Sequence, residues 1–139
     1  MGESYTIGYM KIIFSTNTAK RVLEVESKKI KILEKKGFEV HIVCQKDDFY
    51  KKLESKHKNI HYLKILSNRI SPFKDIILIQ KYYSLYKKIN PDIIFQSTIK
   101  PNIYGSLAVN RIKKIKIFNH VSGLGSSFNK IFLFNTIIK

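Results

Sequence analysis

The chain has little cysteine, proline and glycine, and it has no tryptophan. Its 139 residues include one cysteine, three prolines and six glycines. The single Cys44 excludes an intrachain disulfide framework and a cysteine-based zinc site. No apolar run approaches the roughly 20 residues of a membrane span, and no basic segment precedes a long apolar core, so we expect neither a span nor a secretory signal. These absences predict a protein of the reducing cytoplasm.

Arginine is also scarce, although the chain is strongly basic. Only three of the 26 Lys and Arg residues are arginine, and the formal net charge is +16. Arginine binds phosphates and base edges in a bidentate manner, so its scarcity makes nucleic acid an unlikely partner. The lysines are spread along the chain, which indicates first a solvated surface. A lysine-rich nucleic-acid-binding module is the alternative, and attraction to an anionic membrane surface is a third use.

Carboxylates are absent from the sequence after Asp92. That tail therefore contains neither a carboxylate pair for glycoside hydrolysis nor an acid that could complete a triad with the neighbouring His120 and Ser122. Metal binding is disfavoured as well, because a predicted change from helix to strand separates His57 from His61. We expect no metal site, and the residues alone leave the catalytic groups unknown.

Short apolar runs alternate with longer amphipathic segments along the chain. The predicted strands are Met10–Phe14, Phe38–Cys44, Ile60–Leu66, Asp92–Phe95 and Ile115–Phe118. The predicted helices are Ala19–Lys36, Phe73–Ile89 and Pro101–Ile112, with a short surface helix or loop at residues 46–58. This alternation predicts an α/β fold, a Rossmann-like parallel sheet of about five strands with helices on both faces.

Apolar residues indicate which face of each predicted element is packed. In the helix at 73–89 they are Phe73, Ile76, Ile77, Tyr83, Tyr86 and Ile89. The runs at 92–95 and 115–118 are typical of strands buried on both faces of a parallel sheet. Gly37 stands where a glycine commonly ends a helix.

The same pattern predicts the domain organisation. Residues 1–9 are a loose extension before the first strand, and Met10 is an alternative start. Residues 10–139 contain no linker or repeat and are predicted to form one domain. Because a further apolar helix begins at Asn129 and stops at Lys139, we expect this domain to be incomplete at its C-terminus.

Polar, hydroxyl-rich turns follow three of the predicted strands, at Ser15–Lys20, Ser97–Tyr104 and His120–Phe128. In open α/β sheets ligands bind at the carboxyl ends of the strands, so we expect a site there. Gly123 and Gly125 lack the third glycine of a dinucleotide fingerprint. Their backbone can still approach a hydroxyl-rich or phosphorylated ligand closely, although from spacing alone a plain turn that needs positive φ explains them slightly better.

The segments STIKPNIYGSLA at 97–108 and SGLGSSF at 122–128 resemble the N-terminal domain of family 4 glycosyltransferases. STNTAK at 15–20, KKGFEVHIV at 35–43 and PDII at 91–94 extend the match. The most similar group builds bacterial capsule, O-antigen and lipid-linked oligosaccharides. The resemblance implies a GT-B architecture, in which an N-terminal Rossmann-like domain binds the acceptor and a C-terminal one binds the nucleotide-sugar donor. It also implies transfer of a hexosyl or N-acetylhexosaminyl group with retention of configuration and without a bound metal.

The resemblance also implies roles for individual residues. Lys100 would neutralise an acceptor phosphate, Tyr104 would pack against the helix start, and Gly123 and Gly125 would let their loop approach the cleft. His120 would lie near the donor sugar. The implied acceptor-binding residues are Ser15, Thr16, Asn17, Thr98, Lys100, Asn102, Tyr104, His120, Ser122, Gly123 and Gly125.

The donor-binding domain lies outside this sequence, which bears on partners and activity. The expected partner is a sugar or lipid-linked sugar acceptor. The chain is expected to be either one half of a transferase that a separate donor-domain chain completes, or a fragment of a disrupted gene. We expect no cofactor to bind this chain, because the nucleotide-sugar donor needs the other domain. The expected location is the cytoplasm, with peripheral attachment to the inner face of the cytoplasmic membrane, and the chain alone is expected to transfer no sugar.

Overall fold

The structure is a computed structural model that describes residues 10–65, 70–112 and 114–121. The strands are β1 (Lys11–Thr18), β2 (Glu39–Gln45), β3 (Ile60–Tyr62), β4 (Ile93–Ser97) and β5 (Lys116–His120). The α-helices are α1 (Ala19–Arg21), α2 (Ser27–Lys35), α3 (Tyr50–Lys56), α4 (Pro72–Ile89) and α5 (Ser106–Val109). Two π-helical turns, π1 (Val22–Glu26) and π2 (Pro101–Gly105), precede α2 and α5.

The strands form one parallel sheet in the order β3-β2-β1-β4-β5. The central strand β1 pairs with β2 through Ile12 and Val40, and with β4 through Ile12 and Ile93. All strands run in the same direction, so their carboxyl ends lie together at one end of the sheet. The predicted α/β class with a five-stranded parallel sheet is confirmed.

Alternate side chains of each strand supply two separate cores, one on each face of the sheet. On one face, Ile13, Val43 and Ile94 pack with Tyr82 of α4 and Ala108 of α5. On the other face, the buried residues are Ile12, Phe14, Ala19, Val22, Ile30, Val40, Ile42, Cys44 and Leu53. Helices therefore cover both faces, as the sequence pattern predicts.

The first strand is longer than the sequence pattern predicts. Residues 15–18, predicted as a turn, continue β1, because Ser15 pairs with Val43 and with Gln96, and Thr18 pairs with Gln45 after an irregularity. The helix cap lies at the end of this extension, where Thr18 Oγ1 accepts a hydrogen bond of 3.2 Å from the amide of Arg21. The strand extension places Ser15 and Thr16 inside the sheet, where both are buried.

The predicted packed face of α4 is wrong in its first half. Phe73, Ile76 and Ile77 are exposed, and the buried residues are Asp75, Leu78, Tyr82, Tyr86 and Ile89. The helix has apolar residues on more than one face, so periodicity alone cannot choose between them. Contact with the sheet and with α5 selects the stripe that contains the two tyrosines.

The outer strands also differ from their predictions. β5 is the outermost strand on its side of the sheet within the described residues, and Phe118 is 51% exposed, so the prediction of burial on both faces is wrong for it there. β3 lies at the opposite edge and ends at Tyr62, earlier than the predicted strand. Gly37, with a φ of +91°, follows the end of α2 as predicted. Residues 1–9 and the predicted helix from Asn129 lie outside the described part of the chain.

The side chain of His57 joins α3 to α2. Its Nε2 lies 2.9 Å from Ser27 Oγ, its Nδ1 lies 3.7 Å from Glu34 Oε1, and the imidazole is completely buried. Burial lowers the pKa of His57 below its usual value near 6.5, although Glu34 opposes the shift. The unfolded chain therefore binds a proton here more readily than the folded one.

We predict that the free energy of unfolding is highest above about pH 6.5 and falls as the pH decreases, by about 1.4 kcal/mol for each unit by which folding lowers the pKa of His57. Urea denaturation at neutral and mildly acidic pH measures this decline. His57→Gln should reduce it, and the exposed His120→Gln should not. An equal decline in all three proteins would contradict the role of His57.

Candidate functional site

The carboxyl ends of β1, β4 and β5 bring predicted site residues together. Ser97 pairs with His120 across β4 and β5, and Ser15 pairs with Gln96 across β1 and β4. Thr98 follows β4 directly, beside the end of β5. Three of the predicted loops thus start at the same end of the sheet, although Ser122, Gly123 and Gly125 lie outside the described residues.

A cavity of about 490 Å³ opens at this end, between the sheet and α2. Strand residues form its floor, and residues of π1 and α2 form one wall. The lining comprises Phe14, Ser15, Thr16, Glu26, Lys29, Ile32, Leu33, Phe95, Gln96, Ser97, Phe118, Asn119 and His120. Of the predicted site residues, Ser15, Thr16 and His120 line it, whereas Asn17, Thr98, Lys100, Asn102 and Tyr104 do not.

Three phenylalanines on neighbouring strands form an aromatic ladder (Phe14, Phe95 and Phe118) in the floor of the cavity. The ring centroids of Phe14 and Phe95 are 5.2 Å apart, and those of Phe95 and Phe118 are 5.1 Å apart, with interplanar angles of 23° and 22°. The parallel register places these residues directly opposite one another. The ladder gives the cavity an apolar surface formed by the edges of stacked rings, and its outermost ring is half-exposed.

Glu26 is a buried carboxylate in the cavity wall that the sequence reasoning missed. The residue is 4% exposed, and its Oε2 accepts a hydrogen bond of 2.9 Å from Lys29 Nζ. It is the last residue of π1, and π turns are frequent at functional sites. A signal was present in the sequence, since Glu26 lies four residues from both Val22 and Ile30 in an otherwise apolar helical stripe.

Thr98 adopts a strained backbone conformation just beyond β4. Its φ of +74° is in the left-handed region, which β-branched residues rarely occupy. Its hydroxyl is buried and has no hydrogen-bond partner in the described structure. Strain of this kind collects at functional sites, so the conformation of Thr98 favours a functional role although the residue does not line the cavity.

Lys100 lies in a different environment from the one expected for a phosphate-binding lysine. Its residue is 9% exposed, and its Nζ lies 3.0 Å from Asp75 Oδ1. Burial by itself would raise the pKa of Asp75, but hydrogen bonds from Lys100, the Ser71 amide and the Tyr104 hydroxyl outweigh burial and lower it. Lys100 and Tyr104 thus fasten the start of π2 to the start of α4, and the charge of Lys100 is balanced by Asp75.

Asn102 and Asn17 lie at the margin of the site. Asn102 Nδ2 donates a hydrogen bond of 3.1 Å to the backbone oxygen of His120, which ties π2 to the end of β5. Asn17 Oδ1 lies 3.5 Å from Thr16 Oγ1. The side chain of His120 is exposed at the mouth of the cavity.

Gln96 and Gly105 pack against each other on the opposite face of the sheet from the ladder. A Cβ at position 105 would stand 2.6 Å from Gln96 Oε1. The Gln96 amide is buried, and neither of its polar atoms has a hydrogen-bond partner in the described structure. The glycine of the PNIYG segment therefore allows π2 to lie against β4.

We predict that Gly105→Ala lowers the free energy of unfolding by about 1–3 kcal/mol, because the added methyl group overlaps Gln96. Without that overlap, alanine would favour the helix by about 1 kcal/mol. Combining Gly105→Ala with Gln96→Ala should therefore recover stability relative to the sum of the single variants. Urea denaturation of all four proteins measures the coupling, and additive effects would show that the two residues do not interact.

Within residues 10–65, 70–112 and 114–121, no three His, Cys, Asp or Glu side chains are placed to hold a metal ion. No helix in those ranges is both long and apolar enough to cross a bilayer.

Comparison with known proteins gives a family and a fold. Residues 11–139 match the family model described as glycosyl transferase 4-like. A search of curated proteins gave no match. Similar solved structures include MurG of Acinetobacter baumannii, with 15% identity and a TM-score of 0.68 over 91% of this chain and 39% of that one.

Two further structures have comparable similarity. A UDP-GlcNAc 2-epimerase from Methanocaldococcus jannaschii has 18% identity and a TM-score of 0.67, over 88% of this chain and 34% of that one. A glycosyltransferase from Rickettsia africae ESF-5 has 20% identity and a TM-score of 0.61, over 89% and 34% respectively. At these identities the likeness shows the fold alone, and the chain spans well under half the length of each protein.

Proposed function

Because the chain belongs to the glycosyl transferase 4-like family, we propose that it is the acceptor-binding half of a retaining glycosyltransferase. The reaction would transfer a hexosyl or N-acetylhexosaminyl group in the synthesis of a bacterial capsule, O-antigen or lipid-linked oligosaccharide. The observation that carries this proposal is the cavity at the carboxyl end of the sheet, which combines the aromatic ladder with hydroxyl groups of Thr16 and Ser97. Apolar pockets with a few placed polar groups are typical of small-molecule sites.

The donor is proposed to bind outside residues 11–139, in a second domain of the kind that the GT-B architecture implies. The chain spans 39% of the MurG chain that it resembles. A departing nucleoside diphosphate needs cationic or amide groups that stabilise its negative charge. Lys29 and Lys100 are each paired with a carboxylate, so neither supports such a role here.

We predict that the purified chain transfers no sugar by itself, since it lacks the proposed donor-binding half. Mass spectrometry of acceptor glycans incubated with a panel of nucleotide sugars measures transfer. A complete family 4 enzyme of known activity serves as the positive control for the assay. Turnover by this chain above the buffer blank would contradict the division into halves.

Peripheral attachment to the inner face of the cytoplasmic membrane is the second part of the proposal. The first half of α4 presents Phe73, 83% exposed, and Ile77, 48% exposed. Lys64, Lys74 and Lys81 line the same groove as Ile77. Exposed apolar side chains beside lysines are suited to a surface of anionic lipid, where each lysine contributes about 1 kcal/mol.

We predict that the chain floats with liposomes that contain anionic lipid and not with neutral ones. Phe73→Ser should reduce the bound fraction several-fold, because it removes an apolar side chain that would enter the lipid. Val25→Ser, on the other side of the domain, is the matched control. Equal binding to neutral and anionic liposomes, or no effect of Phe73→Ser, would contradict this attachment.

A further inference from the structure

We propose that the cavity receives an uncharged sugar ring of the acceptor, and that Glu26 is the residue that selects it by accepting hydrogen bonds from its hydroxyl groups. This inference rests on the proposed function and gives it a substrate class and a specificity-determining residue. It differs from the expectation that a phosphate of the acceptor would be the group bound at this end of the sheet.

The first step is the hydrogen-bonding capacity of Glu26. A buried carboxylate is costly unless it is paired, and the hydrogen bond from Lys29 supplies that pairing. A carboxylate has two oxygens with about four lone-pair sites, and Lys29 uses one site on Oε2. Glu26 can therefore accept further hydrogen bonds from a ligand that enters the cavity it lines.

The second step is the shape of the apolar surface. The aromatic ladder presents stacked rings side by side, and its outermost ring, Phe118, is 51% exposed. A pyranose ring has one face of C–H groups and a rim of hydroxyl groups. Its C–H groups can pack against the ring edges of Phe95 and Phe118 while hydroxyl groups at the rim reach polar atoms of the wall.

The third step is the charge of the lining. Glu26 and Lys29 form an ion pair on the helical wall, so their charges cancel. The strand residues of the lining add the uncharged Thr16 and Ser97, with His120 at the mouth. The side chains that hold phosphates in proteins are usually arginine forks or uncompensated cations. Lys100, the residue predicted to neutralise a phosphate, is paired with Asp75 and does not line the cavity. An uncharged, hydroxyl-bearing ring therefore fits this cavity better than a phosphate.

The test is ligand binding by the full chain, followed by NMR. The probes are methyl glycosides of glucose, galactose and N-acetylglucosamine and their β-linked disaccharides, with inorganic pyrophosphate as the anionic probe. We expect at least one glycoside to shift the resonances of Phe118 and of the amides around Glu26, and pyrophosphate not to displace it. Pyrophosphate binding in the cavity in preference to every glycoside would overturn the inference.

Matched variants separate recognition from folding. Glu26→Gln keeps the size of the side chain but removes the charge-assisted hydrogen bond, and it should weaken glycoside binding at least tenfold. Phe118→Ala, at a half-exposed position, should weaken it as well without loss of the folded state. Glu24→Gln, on the same π turn but with an exposed side chain, is the control and should leave binding unchanged. Thermal melting of each variant verifies folding.

The outcomes also separate this inference from the proposed function. If a glycoside or glycolipid binds with equal affinity to wild type and Glu26→Gln, the role of Glu26 is wrong while an acceptor-binding function stands. If the folded chain binds no glycoside even at the highest soluble glycoside concentration but binds a phosphorylated glycolipid, the sugar-ring assignment is wrong and the proposed function still stands. If it binds none of these, both fail.

Discussion

The parallel register between β1, β4 and β5 is the constraint on which the site depends. It places Phe14 opposite Phe95 and Phe95 opposite Phe118, and it brings Ser97 beside His120. Because side chains alternate between the faces of a strand, the same register sends the aromatic ladder towards α2 and Gln96 towards π2. A slip of one residue in β4 would exchange these two sets and would remove both the ladder and the packing of Gln96.

The fold could be predicted from the sequence, whereas several boundaries and faces could not. Alternating apolar runs and amphipathic segments indicate the sheet and its helices, since burial on both faces of a parallel sheet leaves a clear apolar pattern. The extension of β1 to Thr18 depends on pairing with Val43, Gln45 and Gln96, which are distant in sequence. The packed face of α4 likewise depends on tertiary contact, because that helix has apolar residues on more than one side.

The candidate site, like the fold, could be predicted from the sequence only in part. Topology alone brings Ser15, Thr16 and His120 to the cavity, because parallel strands end together. The pairing of Lys100 with Asp75 could not be predicted from the sequence. The two residues are 25 positions apart, and a sequence does not distinguish an exposed lysine from a buried one. The sequence shows that Glu26 interrupts an apolar helical stripe. Only the structure shows that its carboxylate lines a cavity and accepts a hydrogen bond from Lys29.

The two π turns have a consequence for the lengths that this chain can tolerate. A π turn closes its hydrogen bonds over one more residue than an α turn, so π1 and π2 each contain a residue that a regular helix would not need. Deleting one residue from Val22–Glu26 would convert that turn to α-helix while α2 remained packed against the sheet. Such a shortened chain would keep its core and lose the orientation of Glu26, which makes segment length, independently of side-chain identity, a determinant of the cavity wall.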